Sequence, residues 1–473
     1  MTAERHVGGE CTVGVDIGTT SVKAVAVDAR GAVVARARVP HAVGTPAVDR
    51  LEHDAARAWR RGPRRALAEV SGQLEGPPAG VVVTAMVPSI TAVDRRGVPR
   101  LPGLLYGDER AASGSGGDDP DARRAEYNGE REEGARMVAW AARERPDAAG
   151  YWPSQAVATH ALCGIGAIDS TAAVIFGSLV PAGRWDRDAL AALGVDRSRV
   201  PRIVPLGSPA GTVPGSPTVV GGGSIDAFCE QIVAGAGQPG DVLVIFGATL
   251  IVWVVSDRWT EVPGITIFPS MTPGCCMIGG PSNAGGLFVD WVRTLVGAPD
   301  PRRARRGATP PPAPDGRPGS PTDVPVWLPY LRGERTPFYD PHLRASLHGL
   351  DITHGPDAVV RAAHEASGFV VRRIIERSGV EARRIVATGG GSRSAAWMEA
   401  VADTTGLPVE TVGVPEGAAL GAAFLARMAA GLETDLGAAA SWASRGRSYA
   451  PDPAWAAGAS ARYRTFEEVG PAG

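Results

Sequence analysis

The stretch TVGVDIGTTSVKAVAVD, residues 12–28, consists of two β-type runs joined by a Gly-Thr-Thr turn at residues 18–20. Val13 and Val15 alternate with small or polar neighbours, and a second apolar run follows the turn. Alternation of this kind around a turn signal predicts a β-hairpin with a polar tip. Successive backbone N–H groups at such a tip can bind an anion, as they do in phosphate-binding nests.

An acidic residue, Asp16, ends the first run beside this turn. A carboxylate next to a phosphate-binding turn repels the ligand unless Mg²⁺ lies between them. The pattern therefore predicts either a magnesium-dependent phosphate site or an ordinary hairpin. The stretch VLVIFGATLIVWVV, residues 242–255, repeats the order of β run, turn and β run. This repetition favours the phosphate site, because it predicts an internal duplication in which each half offers a phosphate-facing turn.

The composition limits the classes of function. The 473 residues, 44% of them hydrophobic and 21% charged, supply enough apolar material for two or three domains. A net charge of −2 gives no general electrostatic basis for binding nucleic acid or an anionic membrane. The five cysteines are odd in number and lack metal-ligand spacing, so we expect reduced thiols in a cytoplasmic protein. No charged segment followed by a short apolar run opens the chain, which predicts no secretory signal peptide.

Lys23 is the only lysine of the chain, and all other basic residues are arginines. Its place in the second strand of the predicted hairpin indicates either a compact cation beside anionic oxygens or a surface residue retained by chance. The chain contains neither a Walker A pattern nor the strand-lysine motif of protein kinases. These two classes of phosphate-binding enzyme are therefore excluded.

A second acidic residue, Asp226, ends the sequence GGGSID at residues 221–226. The pattern predicts a strand that runs into three glycines and a helix that begins near Ser224, with Ser224 as its N-cap. Asp226 then either stabilises the helix dipole or acts as a base at the mouth of a strand-to-helix turn. In the second interpretation the glycines leave the space above the turn free for a ligand.

Other segments give coarser predictions. Asp108 and Arg110 follow an apolar approach in LLYGDERA and indicate either ligands for sugar hydroxyls or a solvated ion pair. Gly389, Gly390 and Gly391 follow a predicted strand, with Ser392 or Ser394 as the cap of the next helix. Further predicted elements are strands at 31–40 and 81–85, helices at 52–70, 151–169, 356–378 and 415–431, and loops at 112–120 and 299–322.

Taken together, the motifs resemble the FGGY carbohydrate kinases of the actin/hexokinase/Hsp70 superfamily. The resemblance runs from Thr12 to Gly431 through DIGTT, LLYGDERA, GGGSIDAF, GGPSNAGG, LPYLRGERTP, ATGGGSRS and EGAALGAA. It implies an α/β, two-domain actin/hexokinase-like (ribonuclease H-like) ATPase fold with the active site in the interdomain cleft. The implied domains are 10–236, with the sugar site, first phosphate motif and catalytic acid, and 240–450, with the second phosphate motif and the adenosine motif.

The resemblance also implies a role for individual residues. Asp226 is the implied catalytic base, Asp16 the Mg²⁺-linked acid, and Asp108 and Arg110 are implied sugar ligands. The implied ATP-binding residues are Gly18, Thr19, Thr20, Lys23, Gly247, Thr249, Gly389, Gly390, Gly391 and Ser392.

Some positions depart from the family pattern. Val87 and Pro88 stand where xylulokinase-like members carry Met-His, and Phe228 stands where ribulokinase-like members carry histidine. These three residues are predicted to line a substrate pocket that is more apolar than usual. Ala248 removes one hydroxyl from the second phosphate turn.

The implied function is phosphorylation of a small sugar by ATP with Mg²⁺, with a ketopentose as the expected substrate class. A polyol or another sugar, and a kinase-fold sugar-binding protein with impaired catalysis, stay open as alternatives. The expected partners are the sugar and ATP, without nucleic acid or membrane, and a homodimer is left open.

Overall fold

The structure is a computed structural model that describes residues 7–47, 50–106, 108–111, 129–270, 272, 274–297, 316, 318–414 and 416–471. The predicted loop at 112–120 and most of the predicted loop at 299–322 lie outside these residues. The chain divides into two compact α/β units. The first is Met1–Val233 with Glu416–Trp442, and the second is Ala234–Pro415 with Ala443–Gly473.

The first unit is built on a twisted sheet around the opening hairpin. Its strands are β1 (Thr12–Ile17), β2 (Ser21–Val27), β3 (Val33–Pro40), β4 (Val43–Gly44), β5 (Glu52–His53), β6 (Gly80–Ala85), β7 (Ser89–Val93), β8 (Gly103–Leu105), β9 (Gly150–Trp152), β10 (Ala167–Asp169), β11 (Arg202–Val204), β12 (Pro209–Thr212), β13 (Val219–Gly221) and β14 (Ser224–Ile225). The main sheet has the order β12-β13-β6-β1-β2-β3, with β14 also beside β6. A smaller sheet has the order β4-β5-β8-β7-β9, and β10 pairs with β11.

The second unit repeats the arrangement at its centre. Its strands are β15 (Asp241–Phe246), β16 (Leu250–Ser256), β17 (Thr266–Pro269), β18 (Cys276–Ser282), β19 (Val326–Leu328), β20 (Ser346–His348), β21 (Arg384–Thr388), β22 (Val409–Val412) and β23 (Arg445–Tyr449). The sheet order is β17-β18-β16-β15-β21-β22-β23. Strand β15 is antiparallel to β16 and parallel to β21, just as β1 is antiparallel to β2 and parallel to β6. The predicted repetition of the hairpin is therefore confirmed.

Helices cover the sheets of both units. They are α1 (Gly62–Ser71), α2 (Gly129–Glu144), α3 (Ser154–Cys163), α4 (Ser170–Ala173), α5 (Arg187–Ala192), α6 (Asp226–Ala234), α7 (Gly286–Leu295), α8 (Pro356–Ser378), α9 (Ala395–Thr405), α10 (Gly417–Ala429) and α11 (Pro453–Val469). Within the described ranges, none of these helices has both the length and the apolar character that a membrane crossing requires.

Small residues let α10 lie directly on the first sheet. A side chain at Gly14 of β1 would collide with the Ala419 carbonyl oxygen, and one at Gly80 of β6 would lie 2.6 Å from the Ala426 carbonyl oxygen. The Thr12 hydroxyl donates to the Ala423 carbonyl oxygen across the same contact, at 2.8 Å. The chain therefore returns to the first unit through the Ala-rich segment that the sequence predicts as a helix.

Some predicted elements differ from the structure. The predicted helix at 52–70 begins with strand β5, and a π-helical turn at Ala56–Arg61 precedes α1. The predicted helix at 151–169 is limited to α3, because Gly164 ends it in the left-handed conformation (φ 78°) before β10. Ser224 does not cap a helix, since it lies in β14 and pairs with β6.

Candidate active site

Carbonyl oxygens of the turn at residues 18–20 accept hydrogen bonds from neighbouring residues. The Gly18 N–H donates to the Ser21 carbonyl oxygen at 3.0 Å, and the His41 N–H donates to the Thr20 carbonyl oxygen at 3.0 Å. The His53 ring, through Nε2, lies 2.9 Å from the Thr19 carbonyl oxygen. Within the described part of the chain, the N–H groups and hydroxyls of Thr19 and Thr20 have no protein partner. The turn thus presents donors and hides its acceptors, as an anion-binding turn must.

Asp16 lies two residues before this turn and is only 6% exposed. Its carboxylate faces Lys23 across the hairpin, with 3.5 Å between Oδ2 and Nζ. Burial raises the pKa of the Asp16 carboxyl, and the positive charge of Lys23 and the nearby His41 oppose that rise. Lys23 is 40% exposed at its side chain, so its charge can also face an incoming ligand.

Asp16 and the turn fit a magnesium ion. Among the residues that the structure describes, no three His, Cys, Asp or Glu side chains converge as a ready-made metal site. Mg²⁺ needs no such cluster, because it keeps several waters and takes its other ligands from one or two carboxylates and from phosphates. A buried carboxylate beside unpaired anion-binding donors supplies that set.

Asp226 is the first residue of α6 and lies just beyond the carboxyl ends of three neighbouring strands. Ser224 of β14 pairs with Thr84 of β6, and Thr84 pairs with Asp16 of β1, all in parallel register. Ligands of α/β sheets bind at this edge. Burial, followed by the negative charge of Asp16, raises the pKa of Asp226 to about 6. At neutral pH the half-buried carboxylate is still ionised and able to accept a proton.

Gln155, Asp169 and Thr171 form a largely buried polar cluster around Ser224, two residues before Asp226. The sequence did not predict this cluster. Gln155 donates through Nε2 to the carbonyl oxygens of Ala85 and Ser224, at 3.2 Å each. Asp169 caps α4, where its Oδ1 accepts from the Thr171 N–H at 2.9 Å and the Thr171 hydroxyl at 2.6 Å. That hydroxyl also lies 3.3 Å from the Ser224 hydroxyl. The only sequence signal for this group is the cap pattern Asp-Ser-Thr after a short apolar run.

The three glycines before Asp226 serve packing, which corrects the expectation that they leave room for a ligand. A side chain at Gly222 would lie 3.1 Å from the Asp169 backbone nitrogen, and one at Gly223 would lie 3.2 Å from the Gln155 Cα. Neighbouring elements therefore fill the space above the strand.

Asp108 and Arg110 form a partly buried ion-pair network with Glu52. Asp108 accepts from Arg110 at 2.9 Å (Nε to Oδ1) and at 2.6 Å (Nη2 to Oδ2). Arg110 Nη2 also lies 2.6 Å from Glu52 Oε2, and the Leu51 N–H donates to Asp108 Oδ2 at 2.9 Å. These carboxylates raise the pKa of the Arg110 guanidinium. The ion pair that the sequence left open as an alternative is therefore present, with Asp108 itself buried, and Glu52 is a member that the pattern did not reveal.

The remaining substrate-side predictions lie on the first unit as well. Val87 and Pro88 form the turn between β6 and β7 and are joined by a cis peptide bond. Phe228 lies on α6, half-buried, two residues after Asp226.

The turn at 247–249 in the second unit has the same design as the first turn. The Gly247 N–H donates to the Thr249 carbonyl oxygen at 3.0 Å. The N–H groups of Gly286 and Leu287, at the start of α7, donate to the Gly247 and Ala248 carbonyl oxygens at 2.9 and 3.0 Å. In the ranges that the structure covers, the N–H groups of Ala248 and Thr249 and the Thr249 hydroxyl have no partner.

The predicted adenosine segment lies on the end of β15, next to this turn. Gly389 has a left-handed φ of 85°, and a side chain there would lie 2.8 Å from the Phe246 carbonyl oxygen. A side chain at Gly391 would lie 2.6 Å from the Trp397 ring, whereas the nearest atom to one at Gly390 is 3.8 Å away. Only Gly390 therefore faces open space.

The two serines after these glycines have different roles. The Ser392 hydroxyl donates to the Gly389 carbonyl oxygen at 2.8 Å and holds the segment in place. Ser394 caps α9, where its hydroxyl accepts from the Trp397 N–H at 3.3 Å. Of the two predicted caps, Ser394 is the one confirmed.

Comparison with known proteins identifies relatives over most of the chain. The family model for the N-terminal domain of the FGGY family of carbohydrate kinases matches residues 11–115, and that for the C-terminal domain matches residues 245–430. A xylulose kinase of Streptomyces coelicolor is 31% identical over 91% of this chain and 90% of its own. A gluconokinase of Bacillus subtilis is 25% identical over 89% of this chain and 87% of its own. The crystal structure of xylulose kinase from Rhodospirillum rubrum superposes with a TM-score of 0.74 at 26% identity, over 97% of this chain and 98% of that one.

Proposed function

Because the chain belongs to the FGGY family of carbohydrate kinases, we propose that it transfers the γ-phosphoryl group of ATP to a hydroxyl group of a small neutral sugar, with a ketopentose as the substrate class. The observation that carries the proposal is the juxtaposition of Asp226 with Asp16 and the turn at 18–20. An ionised carboxylate with a pKa of about 6 is a suitable base for an alcohol. The unpaired donors of the turn are a suitable receptor for the phosphates.

In this mechanism Asp226 accepts the proton of the sugar hydroxyl as its oxygen attacks the γ-phosphorus. The bond from the γ-phosphorus to the bridging oxygen breaks, ADP leaves, and the proton on Asp226 passes to solvent. The protein does little covalent work, so positioning and charge neutralisation account for the rate. The N–H groups and hydroxyls of Thr19 and Thr20, together with Lys23, neutralise charge on the phosphate oxygens.

Asp16 would hold the magnesium ion that this chemistry uses. When bound, Mg²⁺ supplies neutralisation of the negative charge on the phosphates. Without it, the buried Asp16 carboxylate would repel the nucleotide, because Lys23 at 3.5 Å is its single ion-pair partner within the described residues.

The second unit has candidate nucleotide ligands of its own. The N–H groups of Ala248 and Thr249 and the Thr249 hydroxyl would bind phosphate oxygens, and residues 389–392 would lie against the adenosine. Ala248 offers only its backbone N–H to a phosphate. The turn keeps its other donors, which supports an active kinase over a sugar-binding protein with impaired catalysis.

The charges of the first unit support a neutral sugar over an aldonate. Arg110 lies within 2.6 Å of carboxylate oxygens on both Asp108 and Glu52, so its positive charge is already balanced. The carboxylate of a substrate such as gluconate would meet an acidic group there and would be repelled. Sugar hydroxyls can still bond to the remaining oxygen of Glu52.

A coupled assay of ADP release tests the proposal. Ketopentoses, ketohexoses, polyols and gluconate are offered at equal concentration with ATP and Mg²⁺. We expect the highest kcat/KM for a ketopentose and the lowest for gluconate; a preference for gluconate would contradict the charge argument. Isothermal titration that shows sugar binding without ADP release would favour the binding protein instead.

Replacing the base tests its role directly. Asp226→Ala should lower kcat by about 10²- to 10⁴-fold, the range for loss of a general base, with ATP binding preserved. Asp147→Ala is the matched control, since Asp147 is exposed and lies 3.8 Å from Arg145. Retained kinase activity in the Asp226 variant would remove Asp226 from the mechanism.

A further inference from the structure

His53 is buried behind the turn at 18–20 and contacts it through one ring nitrogen. The Trp59 indole N–H donates to His53 Nδ1 at 3.0 Å, and His53 Nε2 lies 2.9 Å from the Thr19 carbonyl oxygen. An indole nitrogen can only donate, so Nδ1 must accept and Nε2 must carry the proton. Trp59 therefore selects the tautomer that donates to Thr19.

The surroundings keep this ring neutral. Burial lowers the pKa of His53 to about 4, and the nearby His41 ring adds to that effect. The two rings form an edge-to-face contact with 4.6 Å between their centroids. A neutral imidazole has one donor and one acceptor, and both are used here.

The hydrogen bond to Thr19 fixes the direction of the next N–H group. In a trans peptide the carbonyl of one residue and the N–H of the following residue point in opposite directions. Because His53 binds the Thr19 carbonyl oxygen, the Thr20 N–H must point in the opposite direction, away from His53. In the second unit the Gly286 and Leu287 N–H groups orient the turn at 247–249 in the same way.

The residues before His53 contact the sugar-side network. Glu52 pairs with Arg110 at 2.6 Å, and the Leu51 N–H donates to Asp108 at 2.9 Å. Strand β5, which contains Glu52 and His53, pairs with β8. A segment of three residues therefore touches both the predicted sugar ligands and the predicted phosphate turn.

We propose that His53 is a positioning residue that holds the phosphate turn in its anion-binding conformation, and that residues 51–53 transmit occupation of the sugar site to that turn. The inference rests on the proposed function, since it takes the turn as a phosphate ligand. Without the His53 donor, the peptide between Thr19 and Thr20 is free to rotate. It would then present a carbonyl oxygen to the phosphates in place of an N–H group.

Substitutions at His53 separate this role from a purely structural one. His53→Leu removes the donor, whereas the amide group of His53→Gln can donate to Thr19 and accept from Trp59. For the leucine variant we expect kcat/KM for ATP to fall about ten- to a hundredfold, the effect of losing one hydrogen bond to a charged group. The glutamine variant should recover most of that loss. His160→Leu is the control, because His160 is a partly buried histidine whose ring packs on Trp152 and lies 3.4 Å from Arg60.

The proposed transmission from the sugar site is measured as the effect of sugar concentration on KM for ATP. In the wild type we expect KM for ATP to fall as sugar approaches saturation, and we expect this dependence to disappear in the leucine variant. A kcat/KM for ATP within twofold of wild type in a folded His53→Leu protein would overturn the positioning role. A wild type whose KM for ATP does not depend on sugar would overturn the transmission.

A measurement without turnover keeps the inference distinct from the proposed function. Long-range ¹⁵N–¹H correlation spectra of the wild-type imidazoles at pH 7 should show His53 as the neutral Nε2–H tautomer. An Nδ1–H tautomer or an imidazolium would overturn the hydrogen-bond chain even in an active enzyme. Failure of the wild type to phosphorylate any sugar, with the Nε2–H tautomer present, would instead count against the proposed function.

Discussion

At the scale of single residues, the pKa of Asp226 predicts the pH dependence of the reaction. The folded protein raises that pKa from its usual value to about 6, because the carboxyl is buried and lies near Asp16. A base must be deprotonated, so kcat/KM for the sugar should be constant above pH 7 and fall about tenfold per pH unit below pH 6. A profile that stays flat down to pH 5 would show that another group accepts the proton.

Lys23 provides a second prediction at this scale. Its positive charge lowers the pKa of both Asp16 and Asp226. Lys23→Met should therefore move the acidic limb of the pH profile to higher pH and raise KM for ATP about tenfold, the effect of losing one charged contact to phosphate. Lys23→Arg keeps the charge and should keep the limb in place. Equal profiles for the two variants would show that Lys23 is the surface residue considered from the sequence.

At the scale of elements, the contact between β1 and α10 predicts that one methyl group added at Gly14 strongly lowers the free energy of unfolding. A side chain at Gly14 would collide with backbone atoms of α10, which cannot move aside as a flexible side chain can. Gly14→Ala should lower the free energy of unfolding by about 3 kcal/mol, at the upper end for overpacking. Urea denaturation measures this change. Gly9→Ala is the control, since no atom lies within 4 Å of its added methyl group, and an equal loss there would contradict the packing argument.

Among the predicted elements, those whose sequence signal lies within the element itself were confirmed. Strands β1, β2, β15 and β16 and helix α8 were confirmed, because their periodicity and turn residues lie within the element itself. The predicted helix at 52–70 was wrong at its start, where β5 pairs with β8. That pairing joins residues about 50 positions apart in the chain, and tertiary pairing of this kind overrides helix propensity.

At the scale of the whole molecule, the two-domain α/β fold of the actin/hexokinase type is confirmed by the match to the xylulose kinase structure. The predicted sugar ligands lie in the first unit, whereas predicted nucleotide ligands lie in both. A change confined to the turn of the second unit should therefore weaken the binding of ATP and leave the binding of the sugar unchanged.

Gly285→Ala tests this separation. A side chain at Gly285 would lie 2.6 Å from the Leu250 nitrogen and would displace the turn at 247–249. We expect KM for ATP to rise about tenfold or more, with the sugar dissociation constant from calorimetry unchanged. Gly355→Ala is the control, because no atom lies within 4 Å of the added methyl group and φ is −85° there. Weakened sugar binding in the Gly285 variant would contradict the division of ligands.

The sequence by itself determined the two hairpins, the acidic residue at the end of the first strand, the acidic residue Asp226 at the start of α6 and the family. Each of these depends on residues that are neighbours in the chain, so the pattern contains the information. Only the tertiary structure decided which groups hold these elements in place. His53 reaches Thr19, Glu52 reaches Arg110, and Gln155 reaches Ser224 across 34 to 69 positions. Such partners meet only when strands and helices pack, because hydrogen bonding and burial depend on distance in space and not on spacing along the chain.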